Sequence, residues 1–258
     1  HVDDFVGINA VEQYIGDTAI ENGYSYEAGA STGKKVAIIG GGPAGMSAAF
    51  QLRRMGHDAT VFEERAELGG MMRYGIPGYR IPREKLAAEI GRIVDMGVEV
   101  KTNTRVGKDV SVDDLEKDFD AVLWALGCWT GRGLPVDGWE GTTNCVDGLT
   151  FLEAFNNGRM KVTGKKLVCI GGGDTSIDVV SVARRIGFNA DAGLPEDILR
   201  NNETHDQSLA DAAQPTDATL TSLFTKDKMF AAEHEITDAI EEGVTILDGV
   251  MPLEVIVG

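Results

Sequence analysis

Two glycine-rich turns contain the residues whose types and spacing point most directly to chemistry. The first lies at residues 40–45 (GGGPAG) and the second at residues 171–176 (GGGDTS). Each turn follows a short apolar run and precedes a segment with helical spacing of apolar residues. In this arrangement the free backbone N–H groups of a helix bind the phosphates of a nucleotide. Two such turns in one chain predict two dinucleotide sites between which electrons can be transferred.

The first turn has the features of a complete dinucleotide-binding unit. Gly40 permits a tight turn, Gly42 lets the backbone approach a pyrophosphate, and Gly45 lets the helix and strand pack closely. Glu63 ends the next apolar run, where an acidic group accepts hydrogen bonds from a ribose. A purely structural glycine turn is the alternative, and it is less favoured because strand, turn, helix and acid occur together.

The elements that must position these residues alternate between strands and helices. Strands are predicted at residues 35–39, 59–62, 98–101, 121–125, 166–170, 218–223, 244–247 and 253–257. Helices are predicted at residues 11–21, 43–56, 83–96, 149–155, 175–186 and 233–242. The alternation predicts an α/β fold with two Rossmann-like dinucleotide-binding domains. We expect a short helical N-terminal arm at residues 1–33, a first domain at residues 34–148 and a second at residues 149–258.

A long polar segment, residues 187–217, interrupts the second domain. Connections of this length are uncommon within a compact α/β unit. A solvated loop is the favoured explanation, and a docking element for a partner or a lid over the nucleotide are the alternatives. We interpret His205, which lies in this segment, as a surface polar residue. The chain begins without Met and ends within a predicted strand, so we expect it to be part of a longer protein.

Composition excludes several classes of function. The formal net charge of −17 argues against nucleic-acid binding, which needs clustered Lys and Arg. No apolar stretch approaches the roughly 20 residues of a membrane helix, so we expect a soluble, cytoplasmic protein without membrane insertion. Cys128, Cys145 and Cys169 form no metal-ligand spacing, and we expect them to be small buried apolar residues.

Several segments resemble the glutamate synthase small-subunit family, which also includes the flavin-containing N-terminal part of dihydropyrimidine dehydrogenases. They are VEQYIGDTAIE, TGKKVAIIGGGPAGMSAAFQL, the acid Glu63, GGMMRYGIPGYRIP, FDAVLWALG and IGGGDTSIDVVSVARRIG. The resemblance covers nearly the whole chain apart from residues 187–217. It implies the two-domain flavoprotein plan of glutathione reductase, with FAD in the first domain and the nicotinamide cofactor in the second.

The resemblance also implies which residues contact the cofactors. For FAD these are Gly40, Gly42, Pro43, Ala44, Gly45, Glu63, Glu64, Gly69, Gly70, Met71, Val106, Ala125 and Gly127. For the nicotinamide cofactor they are Gly171, Gly173, Asp174, Thr175, Ser176 and Leu223. Met71, Met72 and Tyr74 have plain core packing as the alternative. Asp174 replaces the family's usual Asn, and a carboxylate near a pyrophosphate is unfavourable unless it points away.

The end of the second strand in the second domain predicts a preference for NADH over NADPH. NADPH-using relatives have Tyr-Arg-Arg there, and arginines bind a 2′-phosphate through charge-assisted hydrogen bonds. This chain has residues 222–224 (SLF) at those positions. The alternative is that Arg184, Arg185 or Lys226 reaches the phosphate instead.

No Ser/His/Asp or Cys/His constellation is visible, and hydride transfer between nicotinamide and flavin needs none. A flavin releases electrons singly, so an iron–sulfur cluster is the expected outlet, and this chain has no cluster ligands of its own. In the family that it resembles, the segment like VEQYIGDTAIE follows a cluster-binding domain, so the resemblance implies 4Fe-4S clusters in a region before His1 or in a partner subunit. The resulting hypothesis is an NADH-linked flavin subunit of a multi-subunit oxidoreductase, such as a glutamate synthase or a 2-oxoacid:acceptor complex. The alternative is a non-catalytic nucleotide-binding scaffold or regulatory subunit without functional flavin.

Overall fold

The computed structural model describes residues 7–192 and 195–256, which form two compact units. The first unit comprises residues 7–73 and 78–127, and the second comprises residues 74–77 and 128–256. The division falls between Gly127 and Cys128, whereas the sequence suggested a boundary at residues 148 and 149. The N-terminal arm belongs to the first unit, where Lys85 pairs with Asp17 at 3.2 Å.

The first unit is a parallel sheet covered by helices. Its strands are β1 (Lys35–Ile39), β2 (Asp58–Phe62), β3 (Glu99–Lys101) and β4 (Ala121–Trp124). Its helices are α1 (Ile8–Glu21), α2 (Pro43–Arg54), α3 (Met71–Tyr74), α4 (Arg83–Val94) and α5 (Val112–Asp118). The sheet order is β3-β2-β1-β4, so β1 is central and delivers the first glycine turn at its carboxyl end. Residues 37–39 of β1 are buried, with Ile38 fully inaccessible.

Helix α5 was not predicted from the sequence. It buries a single apolar residue, Leu115, so its apolar spacing is too sparse to indicate a helix. The available signal was its cap, because the Ser111 side chain accepts a hydrogen bond from the backbone N–H of Asp114.

The second unit repeats the plan with three parallel strands. These are β5 (Lys166–Ile170), β6 (Asp217–Ser222) and β7 (Thr245–Asp248), in the order β5-β6-β7. The helices are α6 (Gly148–Asn156), α7 (Asp174–Ile186), α8 (Pro195–Arg200), α9 (Ser208–Asp211) and α10 (Glu233–Glu241), with a 3-10 helix at Lys226–Lys228. One core contains Leu152 from α6, Ile177 from α7 and Leu220 from β6. The predicted strands and helices are therefore found with small shifts of their ends, with one exception.

The exception is the strand predicted at residues 253–257. Val257 lies outside the described residues, and residues 253–256 form one isolated bridge, between Asp137 and Glu254. Leu253 and Ile256 are 76% and 78% exposed. A strand needs a neighbour along its length, so this apolar run does not become one.

The polar segment at residues 187–217 is not a solvated loop. Ile198 and Leu199 from α8 are buried in the core of the second unit, and His205 is 8% exposed. Phe188 pairs with Gln214 and closes the base of the segment. Residues 193 and 194 lie outside the described part. The interpretations of a solvated loop and of a surface His205 are both wrong.

Two further expectations concern the burial of the three cysteines and the presence of a membrane-spanning helix. Cys128 is exposed, contrary to expectation, while Cys145 and Cys169 are half-buried. In the described part of the chain no helix has the length and apolarity needed to cross a bilayer.

Candidate functional site

The first glycine turn is so tightly packed that two of its positions accept no side chain. Gly40 has φ +110°, and a Cβ there would collide with the carbonyl oxygen of Ala125. A Cβ on Gly45 would collide with the carbonyl oxygen of Gly40. These contacts explain why glycine occupies both positions.

Gly42, in the same turn, has room for a methyl group. Gly42 is the N-cap of α2, and the nearest atom to a Cβ built there is the Gly70 Cα at 3.6 Å. Pro43 and Ala44, which form the first turn of α2, are exposed. The first N–H groups of a helix have no partners within it, so this end of α2 is open to an anionic group.

Glu63 is buried at the carboxyl end of β2 and stabilises the turn directly. Its Oε2 accepts a hydrogen bond of 2.7 Å from the Gly41 N–H, and its Oε1 accepts one of 2.9 Å from the Arg65 N–H. Each carboxylate oxygen has a second acceptor site, which leaves capacity for ribose hydroxyls. Glu64 is exposed and lies 3.6 Å from Arg105.

A second turn, formed by Gly69 and Gly70, lies against the first. The Gly69 N–H donates to the Gly41 carbonyl at 2.8 Å, and the Gly70 Cα lies beside Gly42. Met71 follows at the start of α3 and is half-buried.

Ala125, Gly127 and Val106 are the remaining FAD candidates, and the structure places Ala125 against the first turn. Ala125 donates to the Ile39 carbonyl at 2.8 Å and directly contacts Gly40. Gly127 has φ +70°, and Val106 packs with the apolar cluster that contains Phe62.

Met72 and Tyr74, in the same segment, pack among other side chains, as expected if they are core residues and not cofactor contacts. Met72 packs against the apolar core of the first unit. Tyr74, which belongs to the second unit, is 6% exposed and contacts the ring of Trp129 at 6.1 Å.

The second glycine turn has the same design. Gly171 has φ +144°, and a Cβ there would lie 2.6 Å from the Ser176 Oγ. Gly173 is the N-cap of α7, and a Cβ at that position would meet no atom within 4 Å. Thr175 is exposed in the first turn of α7. The amino end of α7 is therefore open like that of α2.

Asp174 is held by another helix. Its Oδ1 accepts a hydrogen bond of 3.1 Å from the backbone N–H of Ala232, which is the N-cap of α10. This bond gives the carboxylate a favourable position at a helix N-terminus. It explains how the second turn accommodates Asp in place of Asn.

Ser176 contacts a thiol beneath the turn. Burial raises the pKa of the Cys169 thiol to about 11, and a hydrogen bond with Ser176 acts in the opposite direction. Cys169 is therefore a neutral thiol at neutral pH, without the thiolate that reactive cysteines need.

The carboxyl end of β6 is apolar and borders an acidic group. Leu223 is 60% exposed, and the rings of Phe224 and Phe230 meet edge to face at 5.4 Å. The Asp248 Oδ2, at the end of β7, accepts a hydrogen bond of 2.8 Å from the Lys226 N–H. Sequence reasoning missed Asp248 and Phe230, which folding brings to the end of β6.

Arg184 and Arg185 lie at the other end of the sheet, where β6 and β7 begin. Arg184 donates to the carbonyls of Thr216 and Glu242, and Arg185 pairs with the Glu242 carboxylate. Thr216 precedes β6 and Glu242 precedes β7, so these contacts are at the amino ends of the strands. This placement argues against the alternative in which either arginine reaches a 2′-phosphate, whereas Lys226 lies near the carboxyl end of β6.

His205 is a buried titratable group that anchors the segment at residues 187–217. Its Nδ1 accepts a hydrogen bond of 3.2 Å from the Lys161 backbone N–H. The backbone N–H of His205 donates to the Arg159 carbonyl at 2.9 Å. Its Nε2 is buried without a hydrogen-bond partner among the described residues. Burial lowers the pKa of His205 below its usual value.

We expect acidification to loosen this segment. The unfolded chain protonates His205 below about pH 6.5, while the folded chain resists protonation, so stability falls as pH drops below that value. The protection factors of amides across residues 187–217, which correct for the intrinsic pH dependence of exchange, should fall by up to about tenfold per pH unit, since one group titrates. His205→Asn, which retains an acceptor for Lys161, should remove this dependence, and His234→Asn, at an exposed site, should retain it. An unchanged pH profile in His205→Asn would contradict the assignment.

Comparison with known proteins places these features in a family. The sequence matches the pyridine nucleotide-disulphide oxidoreductase family over residues 34–219. The beta subunit of the NADP(+)-dependent formate dehydrogenase of Moorella thermoacetica is 45% identical over 159 residues, 61% of this chain and 22% of that protein. The PreT subunit of the NAD-dependent dihydropyrimidine dehydrogenase of Escherichia coli K12 is 33% identical over 256 residues, which are 98% of this chain and 55% of that protein.

A third relative is the small chain of the NADPH glutamate synthase of Escherichia coli K12. It is 37% identical over 194 residues, which are 70% of this chain and 41% of that protein. The chain spans about half or less of the length of these curated relatives. The expected resemblance to the glutamate synthase small-subunit family is confirmed.

Solved structures agree on the fold. FprA of Mycobacterium tuberculosis in complex with NADPH has a TM-score of 0.64 and 18% identity, covering 81% of this chain and 48% of that chain. Thioredoxin reductase of Lactococcus lactis has a TM-score of 0.53 and 19% identity, covering 87% of this chain and 67% of that chain. The predicted α/β fold with Rossmann-like units is confirmed. Because the family match spans more than half of the chain and includes both glycine turns, the chain belongs to the pyridine nucleotide-disulphide oxidoreductase family.

Proposed function

We propose that the chain is the flavin subunit that transfers a hydride between NAD(H) and FAD and single electrons between FAD and iron–sulfur clusters. The observation that carries this proposal is that the same arrangement occurs twice. Helices α2 and α7 each begin at a solvent-accessible glycine turn that follows a strand of a parallel sheet, β1 in the first unit and β5 in the second. Membership of an oxidoreductase family that uses pyridine nucleotides supports it.

The first unit provides the residues that fit FAD. The amino end of α2, with Gly42, Pro43 and Ala44, would hold the pyrophosphate, and Glu63 would accept hydrogen bonds from the ribose. Gly69 and Gly70 provide a second backbone wall beside that helix end. FAD supplies hydride acceptance and single-electron release, so the chain's own task is to bind, orient and exclude water.

The second unit provides the residues that fit NAD(H). The amino end of α7, with Gly173, Thr175 and Ser176, would hold the second pyrophosphate, while Asp174 caps α10. Leu223 offers an apolar surface to the adenosine end, and Asp248 places a negative charge beside it. Both features disfavour a 2′-phosphate, which supports the preference for NADH.

The partners in this proposal are iron–sulfur subunits of a larger complex, carrying 4Fe-4S clusters. Three relatives are named as subunits or chains of a formate dehydrogenase, a dihydropyrimidine dehydrogenase and a glutamate synthase. A 2-oxoacid:acceptor complex is a further setting for a chain that prefers NADH. A cytoplasmic location belongs to the same proposal, and the exposed free thiol of Cys128 suits a reducing compartment.

Anaerobic addition of NADH to the FAD-loaded chain tests the proposal. We expect the visible flavin absorbance to be lost, because hydride transfer reduces the flavin. Gly171→Val, whose side chain would clash with Ser176, should retain the yellow colour and lose reduction by NADH. A chain that binds FAD but stays oxidised with excess NADH would contradict the proposal. A purified chain that takes up no FAD would instead favour the scaffold alternative.

A further inference from the structure

The turn at Gly69 and Gly70 has a conformation that the backbone alone would not maintain. Gly69 has φ +124° and Gly70 has φ +52°. Glycine reaches these values at little cost, but two consecutive glycines also give the chain many other conformations. Other groups must therefore select this one.

Contacts on one side join the turn to the phosphate-binding end of α2. The Gly69 N–H donates to the Gly41 carbonyl at 2.8 Å. A Cβ on Gly70 would lie 2.6 Å from the Gly42 Cα and 3.4 Å from the Pro43 Cδ. The two backbones are thus in contact, and a small displacement of the turn changes the wall of the site.

Arg73 holds the turn from the other side. Its Nε donates to the Leu68 carbonyl at 2.7 Å, and its Nη1 pairs with the Glu67 Oε2 at 2.9 Å. Its side chain is 13% exposed and covers Gly69, where a Cβ would lie 3.1 Å from the Arg73 Cβ. The Arg73 N–H also donates to the Gly70 carbonyl at 3.0 Å. One residue therefore binds the chain on both flanks of the turn.

We propose that Arg73 is a positioning residue that preorganises the first site by holding Gly69 and Gly70 against Gly42. The inference rests on the proposed function, because it concerns how the chain prepares the site for FAD. The planar guanidinium binds Leu68 and Glu67 in one fixed geometry, which an ammonium group does not reproduce. A turn held in its binding conformation removes an ordering cost from FAD binding.

The test uses the chain with and without FAD. Arg73→Gln should leave the unfolding temperature of the FAD-free chain within about 2 °C of wild type and raise the Kd for FAD about 10- to 100-fold. In the FAD-free chain, the hydrogen-bonded amides of Gly69 and Met72 should exchange about tenfold faster. Arg73→Lys should show an intermediate increase in Kd.

Two controls separate the turn from general charge effects. Glu67→Gln removes an ion-pair partner whose side chain is 62% exposed and should change the Kd less than about threefold. Arg54→Gln removes an exposed guanidinium at the end of α2 and should leave both measurements unchanged.

The outcomes distinguish this inference from the proposed function. Failure of the wild-type chain to bind FAD overturns the proposed function, while amide exchange in the FAD-free chain still decides whether Arg73 holds the turn. Unchanged exchange in Arg73→Gln overturns the inference, as does faster exchange with an unchanged Kd for FAD. If Arg73→Gln does not fold, Arg73→Lys decides by the same two measurements.

Discussion

Replacing Gly45 by alanine should abolish retention of FAD and destabilise the first unit. The new methyl group would collide with the Gly40 carbonyl, which belongs to the same tight turn and has no side-chain freedom with which to yield. Overpacking of this kind costs about 3 kcal/mol, which corresponds to a Tm about 6 to 12 °C lower for a chain of this size. We expect the Kd for FAD to rise at least about 100-fold, because the amino end of α2 must shift.

Two other glycines of the first unit serve as matched controls. Gly42→Ala places its methyl group 3.6 Å from the Gly70 Cα, an ordinary contact, so the Tm should stay within about 2 °C while FAD binding weakens about 10- to 100-fold. Gly91→Ala, in α4, meets no atom within 4 Å and should stabilise the helix by up to about 1 kcal/mol without affecting FAD.

The contrast between Gly45 and Gly42 separates a structural glycine turn from a nucleotide site. Thermal unfolding of the FAD-free variants and fluorescence titration with FAD are the measurements. If Gly42→Ala bound FAD as tightly as wild type, the amino end of α2 beside Gly42 would not be the pyrophosphate position, and the turn would be structural only.

The nucleotide-binding units could be predicted because their signals are local in sequence. A Cβ at Gly40 or Gly45 would collide with the backbone, and Gly171 has φ +144°, so each turn requires glycines at fixed positions within a short stretch of sequence. Glu63 follows the next apolar run and is recognised in the same way. These signals require no knowledge of how distant segments pack.

The features that were missed depend on contacts between distant segments. Asp174 finds its partner at Ala232, and Asp248 reaches Lys226 only because β6 and β7 are neighbours. In the polar segment, Ile198 and Leu199 are buried, although they are only one adjacent apolar pair in a helix of six residues. So short a pattern has no measurable period, and the sequence therefore predicts a solvated loop where the structure has a packed helix.

The apolar end of β6 leads to the second prediction, a change of nucleotide preference by Leu223→Arg. In the wild-type chain we expect kcat/KM for NADH to exceed that for NADPH at least about tenfold, because a 2′-phosphate would find no guanidinium and would face Asp248. A new arginine at this exposed position would donate charge-assisted hydrogen bonds to the phosphate, worth about 1.5 to 3 kcal/mol. We expect kcat/KM for NADPH to rise about 10- to 100-fold, with NADH changed less than about threefold.

Asp248→Asn isolates the electrostatic part of this preference. It removes the negative charge at the end of β7 while retaining an oxygen for the Lys226 N–H, so NADPH should improve several-fold and NADH should not. Asp217→Asn removes an exposed charge at the amino end of β6 and should change neither. Steady-state kinetics with both nucleotides at two salt concentrations is the measurement, since screening by salt should shrink the Asp248 effect. A wild-type chain with equal or better kcat/KM for NADPH would contradict the predicted preference and would point to Lys226, near the same end of β6, as a replacement for the missing arginines. Lys226→Gln would then restore the preference for NADH.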